Sequence, residues 1–270
     1  MSEGGRRDAP AFVPLGLNET TRWGGGPFRG GGMLLYFGSI TMLPAPARSM
    51  CDIDHRAASD YVSRGGTKLE NALSGSRLEV AGRSALDVGA STGGFSDCLL
   101  KHGASRVIAV DVGYGQLAWS LRTDPRVTVL ERTNARYLTP DSLPYAPDLA
   151  TIDVSFISIA LILPAVFGCM AEPYDVLALV KPQFEVGREL ASKGRGVIRD
   201  PADRRNALLA VARAARALGA SVLGYHYSGL PGPKGNRETF VHLAEAGRAG
   251  GAGGEADLQR MVLTAEPEPA

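Results

Sequence analysis

Lys68, Asp153, Lys181 and Glu238 are the side chains of this sequence best suited to moving a proton in concert. A lysine set among two acids and a second lysine, beside apolar walls, is pushed toward its neutral form by burial and like charge, while the acids hold it in place. Such a lysine can accept the proton of an alcohol as that alcohol attacks a methyl group. It suits a weakly acidic hydroxyl better than an amine, whose lone pair needs little activation. Taken singly, each of the four is an ordinary surface ion-pair partner, so only their convergence points to chemistry.

The second chemical feature is Ala85-Leu-Asp87-Val-Gly89-Ala-Ser91-Thr-Gly93-Gly94-Phe95, which reads as a buried strand, a glycine-rich turn and the start of a helix. A dinucleotide fingerprint needs a second glycine where Ser91 stands, and a P-loop needs Gly-Lys-Ser/Thr where Gly93-Gly94-Phe95 stands. S-adenosylmethionine carries no phosphate; its pocket needs glycines for close backbone approach and an acid after the second strand for the ribose hydroxyls. Asp111 in Val110-Asp-Val112 supplies the acid, and Asn134 stands where an amide can meet the adenine edge, although it also reads as a plain turn residue. The cofactor set is therefore Asp87, Gly89, Ser91, Gly93, Gly94, Phe95, Asp111, Val112, Asn134 and Asp153.

The elements that must position these residues alternate. Ser84 to Val88, Arg106 to Asp111, Val127 to Leu130, Leu149 to Asp153 and Val176 to Lys181 are short β-rich runs, with helical stretches at Ser96 to His102, Tyr114 to Arg122 and Ile157 to Met170. Such alternation predicts a parallel sheet with right-handed crossovers. Thr67 reads as the cap of an earlier helix that carries Lys68 in its first turn. A polar loop from Pro182 to Asp200 leads to a helix over Pro201 to Leu218. The last two runs, Ser221 to Tyr227 and Thr239 to Ala244, are joined by too short a segment for a crossover helix and predict an antiparallel hairpin. An α/β fold of seven strands ending in that hairpin is the class I methyltransferase, Rossmann-like arrangement. Its strand ends put Asp153 and Lys181 on one rim, where Glu238 begins the last strand and Lys68 can reach over.

Composition sets the outer bounds. The chain has 270 residues, 44% hydrophobic, enough for one ordinary domain with extensions. Lys plus Arg at 29 against Asp plus Glu at 28 announces no nucleic-acid partner, so any basic face is local. Candidates for it are Arg64, Arg188, Lys193, Arg195, Arg199, Arg204, Arg205, Lys234 and Arg237, of which Arg64, Lys193, Arg195, Lys234 and Arg237 are placed as RNA-binding, while Arg204 and Arg205 can equally dress a helix surface. Cys51, Cys98 and Cys169 are odd in number and widely spaced, which supplies neither a disulfide framework nor a metal knuckle and fits a reduced, cytoplasmic compartment. The longest apolar run, Phe156 to Ala171, is short and holds Pro164, so it reads as a buried helix and not a membrane span. Residues 1–56 show no sustained periodicity and read as a disordered or irregular extension with one apolar patch, Met33 to Phe37. The domain is expected over 57–246, and 247–270, rich in Gly, Ala and Glu, as a flexible tail.

Five motifs in order carry a family resemblance: Ser63-Arg-Gly-Gly66 with Lys68, Asp87 to Phe95, Ile152-Asp-Val-Ser-Phe156, Leu179-Val-Lys-Pro-Gln-Phe-Glu185 and Gly235-Asn-Arg-Glu238. Over residues 60–245 the chain closely resembles the TlyA (hemolysin A) family of FtsJ-like RNA 2'-O-methyltransferases. The resemblance implies methyl transfer from S-adenosylmethionine to a ribose 2'-hydroxyl of ribosomal RNA, at a cytidine, with no metal. It also implies that Lys68, Asp153, Lys181 and Glu238 are the K-D-K-E tetrad; Lys181 is assigned as base, Asp153 and Glu238 as its orienting acids and Lys68 as an assistant. Residues 1–56 show no basic helix pair of the kind seen in the S4 RNA-binding domain that usually precedes the Ser-Arg-Gly-Gly motif, and Met50 stands as a candidate start. The competing readings are a non-catalytic protein that binds S-adenosylmethionine and RNA, and a membrane-active hemolysin, for which no amphipathic or spanning segment is visible.

Overall fold

A computed structural model describes residues 60–266; the readings made for residues 1–56, Met33 to Phe37 and Cys51 among them, lie outside the described residues. The strands set two faces. In β1 (Ser84–Val88) Leu86 and Val88 turn to one side while Ala85 and Asp87 turn to the other, the period of two of an extended chain. β2 (Arg106–Val110), β3 (Val127–Leu130), β4 (Leu149–Ile152) and β5 (Asp175–Val180) continue a parallel set. β6 (Ser221–Tyr227) and β7 (Thr239–Ala244) form the antiparallel hairpin, giving the order β3-β2-β1-β4-β5-β7-β6. This is the seven-stranded arrangement the sequence predicts, and it brings the ends of β1, β4 and β5 and the start of β7 to one edge.

Helices close both faces. α1 (Arg64–Ser76), α2 (Gly94–Lys101) and the single turn α3 (Trp119–Arg122) share a core with Leu69, Leu99, Leu121, Leu177 and Phe240. On the opposite face lies α4 (Leu163–Cys169), which contributes Leu163 and Val166. Two short helices, α5 (Pro182–Glu185) and α6 (Arg188–Lys193), follow β5, and the long helix α7 (Pro201–Ala217) packs Leu208, Val211 and Ala212 onto that second core. Among the described residues no helix is long and apolar enough to cross a membrane.

Several local expectations are corrected. The cap of α1 is Ser63 and not Thr67: its Oγ accepts from the Gly65 amide at 3.3 Å, so the helix starts at Arg64 and Lys68 falls in its second turn. The stretch from Tyr114 is not helical, because the side chains of Asp111 and Glu131 accept from the Gly113 and Gly115 amides and hold a loop up to α3. The apolar run from Ile157 forms a short 3-10 turn, Ile159–Leu161, before α4 rather than one helix. The segment after β5 is not a plain loop but carries α5 and α6. Most of all, the described part of the expected tail over 247–270 is not loose: Glu255–Ala265 is a helix, α8, whose Leu258 and Val262 are buried in the core with α7. Burial of two such side chains contributes about 1.5–3 kcal/mol each, which outweighs the conformational freedom suggested by the flanking glycines.

Candidate active site

The glycine turn is built around two carboxylates with different tasks. Gly89 has φ of 85°, and a Cβ there would run into the Asp153 carbonyl, so only glycine lets β1 pass so close to the end of β4. Ser91 also adopts a left-handed backbone, φ of 48°, and its amide donates to Asp111 Oδ2 at 2.7 Å. Ser91 thus keeps the backbone shape of a glycine position, secured by the acid after β2, whose other oxygen accepts from Gly113. Asp87, expected at the cofactor, lines neither cavity of this site: it is fully buried, accepting from Ser96 Oγ at 2.7 Å and from its cross-strand neighbour Thr151 Oγ1 at 3.1 Å. Burial raises its carboxyl to about 6. It ties β1, β4 and α2 together beneath the turn. Gly93 likewise shapes the turn without lining a cavity.

Two adjoining clefts open at this edge and share Gly89, Ser91 and Asp153. The larger, about 450 Å³, brings Asp111, Val112 and Asn134 against the apolar wall of Val110, Ile157 and Ile162. The side chain of Asn134 caps the next turn through Oδ1, which accepts from the Arg136 amide, leaving its NH2 group toward the cleft residues as the donor still to be used. The second cleft is lined by Lys68, Arg64, Gly94, Phe95 and Pro233 together with Asp153.

The four side chains expected to move a proton fall into two ion pairs. Lys181 Nζ lies 2.6 Å from Asp153 Oδ1 and donates to Ser155 Oγ at 3.0 Å. Lys68 Nζ lies 2.5 Å from Glu238 Oε2, with side-chain exposures of 9% and 1%. Glu238 therefore holds Lys68 and not Lys181, which corrects the assignment of Glu238 as an orienting acid for the base. Its second oxygen, Oε1, is buried without a hydrogen-bond partner against Gly232.

The structure adds residues that sequence reasoning missed. Phe156 is 91% exposed, has φ of 67° and lines the larger cleft, its ring 5.1 Å from that of Phe184. Glu185 fixes this loop by accepting from Ser158 Oγ and the Ile159 amide, at 2.6 and 2.9 Å, and burial raises its carboxyl. Asn236 is buried and clasps the loop before α7: Oδ1 accepts from Ile198 at 2.8 Å and Nδ2 donates to Gly196 O at 2.7 Å. Motifs already contained Phe156, Glu185 and Asn236, but nothing in residue type distinguishes an exposed phenylalanine or a buried asparagine from its ordinary counterpart. Of the basic residues, Arg64, Lys193, Arg195 and Lys234 are exposed. Arg237 is not a free phosphate contact: its guanidinium engages Glu266 at 2.6 Å and covers the Tyr227 ring at 3.9 Å.

Comparison with known proteins agrees with this architecture. A model of the FtsJ-like methyltransferase family matches residues 61–245. The 16S/23S rRNA (cytidine-2'-O)-methyltransferase TlyA of Mycobacterium tuberculosis is 52% identical over 208 residues, covering 77% of this chain and 77% of that protein. Hemolysin A of Brachyspira hyodysenteriae is 42% identical over 184 residues, covering 68% of this chain and 76% of that one. A solved structure from Lactococcus lactis superposes with a TM-score of 0.68 at 46% identity, covering 74% of this chain and 97% of the other.

Proposed function

We propose, from the premise that this chain belongs to the FtsJ-like methyltransferase family, that it transfers a methyl group from S-adenosylmethionine to a ribose 2'-hydroxyl of ribosomal RNA, at a cytidine. The observation that carries this reading is the juxtaposition of the Lys181 to Asp153 ion pair with the cleft lined by Asp111 and Asn134. The donor set fits the cofactor: Asp111 retains lone pairs for ribose hydroxyls, Asn134 retains an amide donor, and the apolar wall suits an adenine. When bound, S-adenosylmethionine supplies an electrophilic methyl group. Gly89, Ser91, Gly93 and Gly94 shape the backbone around it, with Phe95 and Val112 at the borders.

Lys181 acts as the base. It does so in its neutral form, in which Asp153 and Ser155 hold the remaining N–H groups and direct the lone pair that takes the proton of the acceptor hydroxyl. Lys68, fixed by Glu238, adds a positive charge at the other wall of the shared cleft, where it stabilises the developing alkoxide. Phe156 serves as a stacking platform for an unpaired base, because an aromatic ring held out of the core by a strained backbone gains contact only when something covers it. Arg64, Lys193, Arg195 and Lys234 position the phosphate backbone. The domain assigned to this activity extends past the expected boundary at 246 to include α8, whose Leu258 and Val262 lie in its core, and a ribosomal RNA target fits a cytoplasmic setting.

The test is methyl transfer from labelled S-adenosylmethionine to purified ribosomal subunits, followed by mapping of the modified position. The expected product is a 2'-O-methylated nucleotide, with transfer abolished in Lys181→Ala. Methylation of a base atom, or full activity in Lys181→Ala, would overturn the reading; calorimetric cofactor binding with no transfer to any ribosomal particle would favour a non-catalytic binding protein.

A further inference from the structure

Three consecutive residues at the end of the β6–β7 connection reach in three directions. Glu238 holds Lys68 in α1, Asn236 clasps Gly196 and Ile198 in the loop before α7, and Arg237 reaches to Glu266 at the end of α8. Glu266 lies beyond the residues matched by the family model, and its side chain is only 3% exposed. Its Oε1 lies 2.6 Å from Arg237 Nε and its Oε2 3.1 Å from Arg204 Nε. Arg204 in turn donates through Nη1 to the Arg199 carbonyl at 2.6 Å. One buried carboxylate thereby links the loop carrying Arg195, which follows Lys193 at the end of α6, to the loop carrying Lys234.

Electrostatics gives that link its purpose. The two loops abut, with Lys234 Nζ 3.7 Å from the position a Cβ on Gly196 would take, and both present cations. Cations on abutting loops repel, and two segments with glycines at 194 and 196 and at 229, 232 and 235 have little stiffness of their own to resist. A carboxylate shared between two guanidiniums tethers the two loops from behind against that repulsion, at a depth where screening of the ion pairs by salt is weak. It leaves Lys234 and Arg195 turned outward for an anionic chain, with Lys193 held only by an exposed ion pair to Glu189 at 3.3 Å.

We propose that Glu266 is a positioning residue for substrate RNA: by anchoring Arg204 and Arg237 it sets the spacing of the two basic loops that grip the phosphate backbone. The proposal rests on the RNA methyltransferase reading. Glu266 lines neither cleft of the site and bonds to neither Lys181 nor Asp153, although Val180 and Pro182 on either side of Lys181 share a small cavity with it, and so its loss predicts a defect greater in substrate binding than in turnover.

The experiment compares the full chain with Glu266→Gln, which keeps the shape and removes the charge. The expected result is a rise of about tenfold in KM for ribosomal subunits, typical of a displaced substrate-positioning group, with kcat and the calorimetric Kd for S-adenosylmethionine changed less than about twofold. Amide exchange at Ile198 and Asn236 accelerates while exchange in β5 stays unchanged. Arg204→Lys, which keeps the charge but loses the fork, shifts KM the same way and guards against a folding defect peculiar to Glu266→Gln. An unchanged KM, unchanged exchange in the two loops, or a parallel fall in kcat and cofactor affinity would overturn the proposal. If the native chain transfers no methyl group, the enzymatic reading fails, while filter binding of a ribosomal RNA fragment and the exchange rates still decide the role of Glu266.

Discussion

Lys68 and Glu238 are 170 residues apart in sequence and 2.5 Å apart in space, both nearly sealed from solvent. Breaking such a pair from one side leaves a buried charge alone, which costs about 3–5 kcal/mol. Glu238→Gln and Lys68→Met are therefore each expected to lower the unfolding free energy by that order and to abolish transfer. The double replacement Lys68→Met with Glu238→Leu removes both charges; it is expected to regain most of the stability and none of the activity. Chemical denaturation alongside a transfer assay checks this, and a double variant as unstable as the singles would argue against the pair being electrostatically self-contained.

That pair also marks how far sequence reasoning reaches. The alternation of β-rich and helical runs made the parallel sheet, its terminal hairpin and the shared rim legible, since parallel strand ends in an open sheet must lie on one edge. It could not say which acid holds which lysine, because that depends on the angle at which α1 approaches the rim. The same limit explains Arg237: an arginine beside a predicted site looks like a phosphate contact until a helix some twenty residues later delivers Glu266 to it. α8 itself was hidden because the glycines before it read as a tail, while its two core residues, Leu258 and Val262, are too few to show a period. Asp87 misled in the opposite sense, since an acid at the end of the first strand reads as a ligand contact and instead braces the turn from below.

Asp87 makes stability depend on pH. Burial raises its carboxyl from 3.8 to about 6 in the folded chain. A raised carboxyl contributes stability that is fully present below pH 3.8 and is lost as pH rises through 6, because the folded state then must carry a buried charge. Asp87→Asn removes that charge while keeping a partner for Ser96 and Thr151. It is expected to match the native chain near pH 4 and to exceed it at pH 7, by up to about 3 kcal/mol. Urea denaturation at the two pH values measures this, and an equal difference at both would remove Asp87 as the source.

Phe156 sets stability against activity. A non-glycine residue at φ of 67° stores backbone strain, and this side chain gains almost no burial in return. Phe156→Gly is expected to raise stability by about 1 kcal/mol through relief of that strain. If the ring is a platform for an unpaired base, the same change lowers kcat/KM for ribosomal subunits by about tenfold or more, the cost of about 1–3 kcal/mol of lost stacking. Phe156→Tyr keeps the platform and is expected to keep activity. Loss of activity in Phe156→Tyr equal to that in Phe156→Gly would point to a role other than stacking.

Gly94 determines how closely α1 can approach α2. It begins α2 directly beneath the start of α1, and a Cβ there would overlap Ser63 Oγ and crowd the Gly66 backbone amide. In an ordinary helix, glycine to alanine is favourable by about 0.5–1 kcal/mol. Here the nearest neighbour is the Ser63 hydroxyl that caps α1, and beside it lies backbone that cannot rotate away, so overpacking of about 1–3 kcal/mol wins and the sign reverses. Yielding to the methyl group means lifting the first turn of α1, and Lys68 rides one turn further along that helix. Gly94→Ala is therefore expected to melt earlier than the native chain and to lose methyl transfer more steeply than its stability loss alone explains, because Lys68 leaves the wall of the cleft while Lys181 and Asp153 stay. A thermal melt and a transfer assay on the same preparation decide it: a variant more stable than the native chain would show that the two helix starts are not in contact.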